Sequence, residues 1–186
     1  MEVKDLIGMK IDVLDVGHIR VVDLMGSDAS ICEAARQTLD SKKQADDEML
    51  IRYLMRHRHT SPFEFAEIVL EVMCPIDVFR QWIRHRTASV NEYSTRYSDA
   101  INLMHETPPH MWRKQSQDNR QGSAGYLSSS TIDGTTAKGG DYFSHVEKTL
   151  HMLSREIYED RLEAGIAREQ ARKDLPLSNY TKSYWK

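Results

Sequence analysis

Cysteine is scarce in this chain, and its scarcity excludes two chemistries. Cys32 and Cys74 are the only thiols among 186 residues. They lie far apart with no pairing pattern, which fits a reducing compartment rather than a disulfide framework. Neither falls in a basic, polar stretch that would lower its pKa, so both read as buried structural thiols and not as nucleophiles. Long apolar runs are missing too: none approaches the roughly 20 residues that span a bilayer. A basic excess is also absent. The net charge is -3, whereas a nucleic-acid-binding domain normally carries clustered positive charge. Met1–Lys10 is charged and has no apolar signal-peptide centre, and no internal repeat is visible. These absences lead us to expect one soluble, cytoplasmic domain over residues 1–186, without nucleic-acid or membrane partners. Its 40% hydrophobic content can support a core.

Alternation and helical spacing divide the chain coarsely. Lys10–Val16 and Ile19–Met25 read as strands, with Gly17 breaking the run between them. Ser30 and Glu33 suit a capping box for a helix through Leu39. Residues 41–47 read as a loop, and Leu50, Tyr53, Leu54 and His57 predict a helix over Asp46–Arg58. Ser61-Pro62-Phe63-Glu64 offers an N-cap serine, an N1 proline and an N3 glutamate for a short helix. Ile68–Met73 alternates as a strand, and Ile76, Phe79 and Ile83 mark a helix. Met111–Gly140, rich in Ser, Gly, Gln and Asn, reads as insertion, with a mobile loop over 113–140. Phe143, Val146, Leu150, Leu153 and Ile157 then restore helical period up to Gly165. A short helix over Ala167–Asp174 ends before Pro176. The expected class is α+β, mixed helices with a small, mostly antiparallel sheet.

The chemistry concentrates in residues 84–97, Arg-His-Arg-Thr-Ala-Ser-Val-Asn-Glu-Tyr-Ser-Thr-Arg-Tyr. An apolar-periodic helix hands over abruptly to this polar cluster, which is how a fold presents a site. Arginine offers planar forked donors to anionic oxygens, so the cluster suits phosphate. Glu92 suits a polar N–H, a hydroxyl or a neighbouring arginine. Gln81 lies three residues before Arg84, close enough on a helix to share its face. His57-Arg58-His59 lacks the spacing of a helical zinc pair and carries a cation between its histidines, so no metal site is expected. On the residues alone, His57 reads as packing on the apolar helix face with His59 exposed. Arg172 alone reads as a cation at a helix C-terminus. Ser94 has no evident base partner for nucleophilic catalysis and reads as a binding residue; no catalytic residue is assigned.

Arg84, His85, Arg86, Ser89, Asn91, Glu92, Ser94 and Arg96 fill Arg-His-Arg-x-x-Ser-x-Asn-Glu-x-Ser-x-Arg, eight fixed positions in thirteen. This resembles the signature of the flavin-dependent thymidylate synthases. The resemblance extends to Met25-Gly26, His59 with Ser61-Pro62-Phe63-Glu64, Arg80-Gln81-Trp82 and Arg172 before Leu175-Pro176.

What the resemblance implies is reductive methylation of dUMP to dTMP. Methylenetetrahydrofolate would supply the carbon and NADPH would reduce FAD, in a homotetramer whose sites are shared between subunits. His59, Ser61, Glu64, Arg84, His85, Arg86 and Glu92 would contact flavin. Gln81, Arg84, Glu92, Ser94, Arg96 and Arg172 would contact dUMP, with Arg172 reaching it from a neighbouring subunit. Members of the family continue past Lys186 with a helical region that carries further flavin and pyrimidine contacts, so the chain is expected to lack that region. Two other readings are a non-catalytic flavin- or nucleotide-binding relative and an anion- or RNA-binding module built on the arginines.

Overall fold

A computed structural model describes residues 3–37, 46–129 and 138–186. Among them, a five-stranded antiparallel sheet runs in the order β1-β2-β3-β7-β4. Strand β1 (Lys10–Val13) turns into β2 (Gly17–Met25), which pairs with β3 (Glu67–Pro75). The last strand, β7 (Tyr180–Trp185), lies against β3, and the short β4 (Val90–Glu92) closes the far edge. The helices are α1 (Asp28–Gln37), α2 (Asp47–Arg56), α3 (Ile76–Trp82), α4 (Gly140–Glu163) and α5 (Arg168–Ala171). The α+β class therefore stands.

Local chemistry explains the boundaries. Gly17 does not break the strand run but opens β2. A Cβ there would sit 2.7 Å from the Met73 carbonyl and 2.8 Å from that of Val13, so only glycine allows this approach. Gly26 is required twice over: its φ is +71°, and a Cβ would meet the Phe65 carbonyl at 2.1 Å. Helix α1 begins two residues before the expected Ser30. The Ser30 hydroxyl instead accepts the Ser27 N–H at 3.1 Å, the return half of a capping box. Leu39 and residues 41–45 lie outside the described residues. Asp46 caps α2 by accepting the Glu48 N–H, a contact of a kind that contributes about 1 kcal/mol. Ser61–Phe65 forms a 3₁₀ turn whose N-cap is Thr60, not Ser61, and no side chain caps it.

Three small cores support the sheet and helices. Ile31, Ala35 and Leu54 join α1 to α2; Val72, Cys74 and Phe79 join β3 to α3; Ala100, Tyr158 and Ala171 join α4 and α5 to the chain after β4. Residues 113–126, read as loop, contain a hairpin of β5 (Arg113–Gln115) and β6 (Ser123–Tyr126). Its polarity hid it, because its bonds are internal: the Gln115 amide donates to the carbonyls of Asn119, Arg120 and Gly122. Residues 130–137 of that loop are outside the described set. Strand β7 was not foreseen at all.

Candidate functional site

Strand β7 positions the polar cluster. Val90, Asn91 and Glu92 pair antiparallel with Trp185, Tyr184 and Ser183. Ser89 and Lys186 exchange both backbone bonds at 2.9 Å, and the Tyr93 N–H reaches the Lys182 carbonyl at 2.8 Å. The cluster is thus an edge strand pinned at both ends. Beyond it, the Ala100 N–H donates to the buried Tyr158 hydroxyl at 2.9 Å, and Arg155 donates to the Ala100 carbonyl. The segment between hangs on α4.

Glu92 is held from below. Thr181 Oγ1, 5% exposed, donates to Glu92 Oε1 at 2.8 Å. A concavity of about 190 Å³ is lined by Asn91, Glu92, Tyr93, Lys182, Ser183 and Tyr184. Ser183 Oγ, within this lining, is buried and has no hydrogen-bond partner among the described residues. A buried hydroxyl left unpaired costs free energy unless something meets it, so this wall suits a polar ligand atom.

Ser94 and Arg96 occupy a turn in which the amides of Tyr97 and Ser98 both reach the Ser94 carbonyl, and the Arg96 N–H reaches Ser94 Oγ at 3.4 Å. Serine commonly satisfies its own turn in this manner. Arg96 stacks over the Tyr97 ring at 5.3 Å. Arg172 is not a free helix-end cation: its Nη1 donates to Thr95 Oγ1 at 2.5 Å, within one and the same chain. Packing of Ala171 against Ala100 and Tyr158 delivers it there. Arg172 is therefore anchored, within the chain, on the residue between Ser94 and Arg96.

Gln81 lies in the last turn of α3, and Arg84, His85 and Arg86 follow in an exposed turn where the Arg84 and His85 amides reach the carbonyls of Gln81 and Trp82. Arg84 thus leaves the helix that was to give it a common face with Gln81. Among the described residues Arg84, Arg86, Arg96 and Arg172 have no carboxylate partner. Glu64 reaches the same region: it lines a groove of about 550 Å³ with Trp82, Thr87, Ser89, Trp185 and Lys186. Ser61 and His59 are exposed on the neighbouring turn, and the His59 ring stands edge-on to Tyr53 at 6.1 Å. His57 is exposed as well, stacked at 4.3 Å on Tyr53, so it does not pack inward as its spacing suggested. No group of three or more metal-ligating side chains occurs among the described residues.

The cysteines are both buried. Burial, reinforced by the charges of Asp77 and Glu92, pushes the Cys74 thiol up to about 11, the opposite of what a nucleophile needs. Thr95 and Thr181 are the site residues that sequence reasoning missed. Neither left a signal: Thr181 lies in Tyr180-Thr181-Lys182-Ser183-Tyr184-Trp185, which alternates in exposure but not in hydrophobicity, and Thr95 lies in a turn.

The profile of the family described as thymidylate synthase complementing protein matches residues 20–186. The chain belongs to this family. It is 47% identical over 180 residues to the flavin-dependent thymidylate synthase of Wolbachia pipientis wMel, covering 94% of this chain and 59% of that protein. It is 45% identical to a flavin-dependent thymidylate synthase of Thermus thermophilus, covering 96% of this chain and 62% of that protein. The chain therefore spans about three-fifths of the length of these relatives. In structure it resembles the UMP/dUMP methylase PolB of Streptomyces cacaoi bound with 5-Br UMP. The TM-score is 0.74 and the identity 32%, over 93% of this chain and 71% of that one. With 5-Br dUMP bound, the same methylase gives 0.75 and 29%, over 94% and 74%.

Proposed function

We propose that the chain carries the nucleotide and flavin contacts of a flavin-dependent thymidylate synthase, which converts dUMP to dTMP. The observation that supports it most is the turn at 94–96, where Arg172 docks on Thr95, next to Arg96, and neither arginine has a carboxylate partner among the described residues. Two unpaired guanidiniums beside a hydroxyl form an anion cradle suited to a nucleotide phosphate. Gln81 and Arg84 border it in sequence. Glu92, oriented by Thr181 and flanked by the unpaired Ser183 hydroxyl, suits the N–H and carbonyl edge of a pyrimidine. Methylenetetrahydrofolate would donate the one-carbon unit and NADPH the electrons.

Arg84, His85 and Arg86, with Glu64, Ser61 and His59, offer cations and hydroxyls for the phosphates and ring of FAD; Glu92 lies between the two halves. A bound reduced flavin supplies the hydride, which removes the need for a cysteine thiolate. The thiols fit this division: both are buried, and that of Cys74 is pushed away from ionisation.

The assembly is a homotetramer in this reading. Val146, Leu150 and Leu153, the apolar stripe of α4, are 44%, 55% and 52% exposed. A stripe of that size needs a partner, and closed symmetric oligomers supply one. A cytoplasmic location is consistent with the two free thiols. No helix among the described residues is long and apolar enough to cross a membrane. Tritium release from 5-tritiated dUMP, measured with FAD, NADPH and methylenetetrahydrofolate, tests the activity. Binding of dUMP and FAD without release assigns the chain to the non-catalytic relatives. Binding of neither, with salt-sensitive binding of RNA, assigns the arginines to another task.

A further inference from the structure

The sheet has one edge that no described strand covers. Strand β1 ends the strand order, and all four of its residues are exposed. A bulge fixes which of its backbone groups face outward. The Gly8 N–H donates to the Val21 carbonyl at 2.8 Å and the Val21 N–H to the Met9 carbonyl at 2.9 Å, so two residues oppose one. From Met9 onward the ladder alternates, because each residue of an antiparallel strand turns both of its backbone groups to one side. Met9, Ile11 and Val13 therefore bond towards β2, and the N–H and C=O of Lys10 and Asp12 face the open edge.

The side chains alternate as well. Lys10 and Asp12 share one face, where their charges pair at 2.9 Å. Met9, Ile11 and Val13 stand on the other, 44%, 56% and 37% exposed. An open edge is usually protected by uncompensated charge, lysine above all. Here Lys10 is compensated by Asp12 two residues on, and the pattern is its own complement when reversed. Antiparallel self-pairing centred on Ile11 sets Lys10 opposite Asp12 of a second copy, and Asp12 opposite its Lys10. On the other face it sets Ile11 against Ile11 and Met9 against Val13. The same register lets the outward-facing groups of Lys10 and Asp12 exchange both backbone bonds across the axis. Registers centred on Lys10 or on Asp12 would instead set like charges directly opposite, which destabilises a strand pair.

We propose that β1 is a self-docking edge, through which two copies of this chain pair antiparallel about a two-fold axis at Ile11, so that their sheets run on as one. The partner is a second copy because charge, apolar face and backbone groups all match in one register. Such a contact uses the same patch on both copies and closes on itself. Pairing of β1 with the opposite edge, β4, would join unlike patches and run on as a filament. The edge is separate from the apolar stripe of α4. A tetramer with two-fold axes needs two different self-complementary surfaces, and β1 is a second one, but its pairing does not depend on the α4 contact.

Cysteine trapping on the full chain tests it. The axis makes Ile11 a non-hydrogen-bonded pair with its counterpart, Cα atoms about 4.5 Å apart, which a disulfide can span. Under mild oxidation Ile11→Cys should give a covalent dimer that dithiothreitol reverses, while the two native thiols stay buried. Met9→Cys sits on the same face and is as open, but it lies opposite Val13 and should not cross-link alone; adding Val13→Cys should make it do so. In the Ile11→Cys chain, Asp12→Lys sets lysine against lysine and should slow cross-linking about tenfold. Adding Lys10→Asp restores the complement and should restore the rate. These side chains are exposed, so the variants keep the fold. Leu150→Glu should leave the cross-link intact, which separates failure of the α4 contact from failure of this one. The proposal is overturned if Met9→Cys cross-links as fast as Ile11→Cys, or if Lys10→Asp fails to rescue Asp12→Lys. It is equally overturned if Leu150→Glu abolishes the cross-link, or if light scattering shows the unaltered chain growing into open filaments.

Discussion

Thr181→Val isolates the one bond that orients Glu92. The hydroxyl donates at 2.8 Å from a side chain that is 5% exposed to a carboxylate on an exposed edge strand. Valine keeps the branched shape and the strand preference of threonine and removes only the donor. A hydrogen bond to a charged group contributes about 1.5–3 kcal/mol when desolvated. Glu92 faces water, which replaces part of the lost bond, so the stability cost should be about 1 kcal/mol. For a chain of this size that lowers Tm by about 2–4 °C.

The effect on ligand binding follows separately. Without Thr181 the carboxylate samples rotamers that it must give up when dUMP binds. Fixing such a side chain costs about 0.5–1.5 kcal/mol, a weakening of roughly three- to tenfold. Thr181→Ser, which keeps the donor, should bind dUMP like the unaltered chain, and Glu92→Gln should lose more than Thr181→Val. Calorimetry with dUMP and thermal melts on the three variants decide it. If Thr181→Val binds dUMP normally, Glu92 needs no orienting partner. If Val and Ser variants lose affinity alike, Thr181 acts through packing, and the hydrogen bond is irrelevant.

Other perturbations read other links in the same chain. Tyr158→Phe removes the acceptor of the buried Ala100 N–H and should cost about 1–3 kcal/mol in urea melts, the penalty of an orphaned buried donor. Leu150→Glu places a charge on the exposed stripe of α4 and should shift light scattering from the proposed tetramer to smaller species without changing the circular dichroism. The Asp15 carboxyl is opposed by burial but held down, to about 2, by bonds from Tyr180, His105 and the backbone. A depressed folded-state pKa stabilises above the unfolded value near 4, and the stabilisation is lost as pH falls towards 2. Asp15→Asn should therefore be less stable than the unaltered chain at pH 7, and the gap should narrow by about pH 2.5. Cys74, held protonated by burial, should resist iodoacetamide at pH 7.5 in the folded chain and react once urea unfolds it.

The sheet and helices were legible wherever burial and hydrophobicity coincide. Strands β2 and β3 and helices α2 and α3 follow their apolar spacing to within a few residues. Strand β7 escaped because its inward residues are Thr181 and Ser183, as buried as any valine but polar. Its alternation is one of exposure and not of hydrophobicity. Helix α4 fails in the opposite sense. Its stripe of Val146, Leu150 and Leu153 was legible as a helix face, yet in the single chain that face is exposed, and His151, Ser154 and Tyr158 turn inward instead. Apolar periodicity reports that a face is covered somewhere, not that the same chain covers it. The signature divides along the same line. Its residue types and spacing predict an anion site, because guanidinium and carboxylate chemistry is carried by the side chains themselves. The docking of Arg172 on Thr95 was not legible, because it depends on a contact 77 residues away in sequence. That contact exists only once Ala100, Tyr158 and Ala171 have packed. The arginines of the proposed cradle are thus encoded locally, but the placement of Arg172 beside Thr95 rests on the α4–α5 core, so substitutions in that core should weaken nucleotide binding without touching a single residue of the signature.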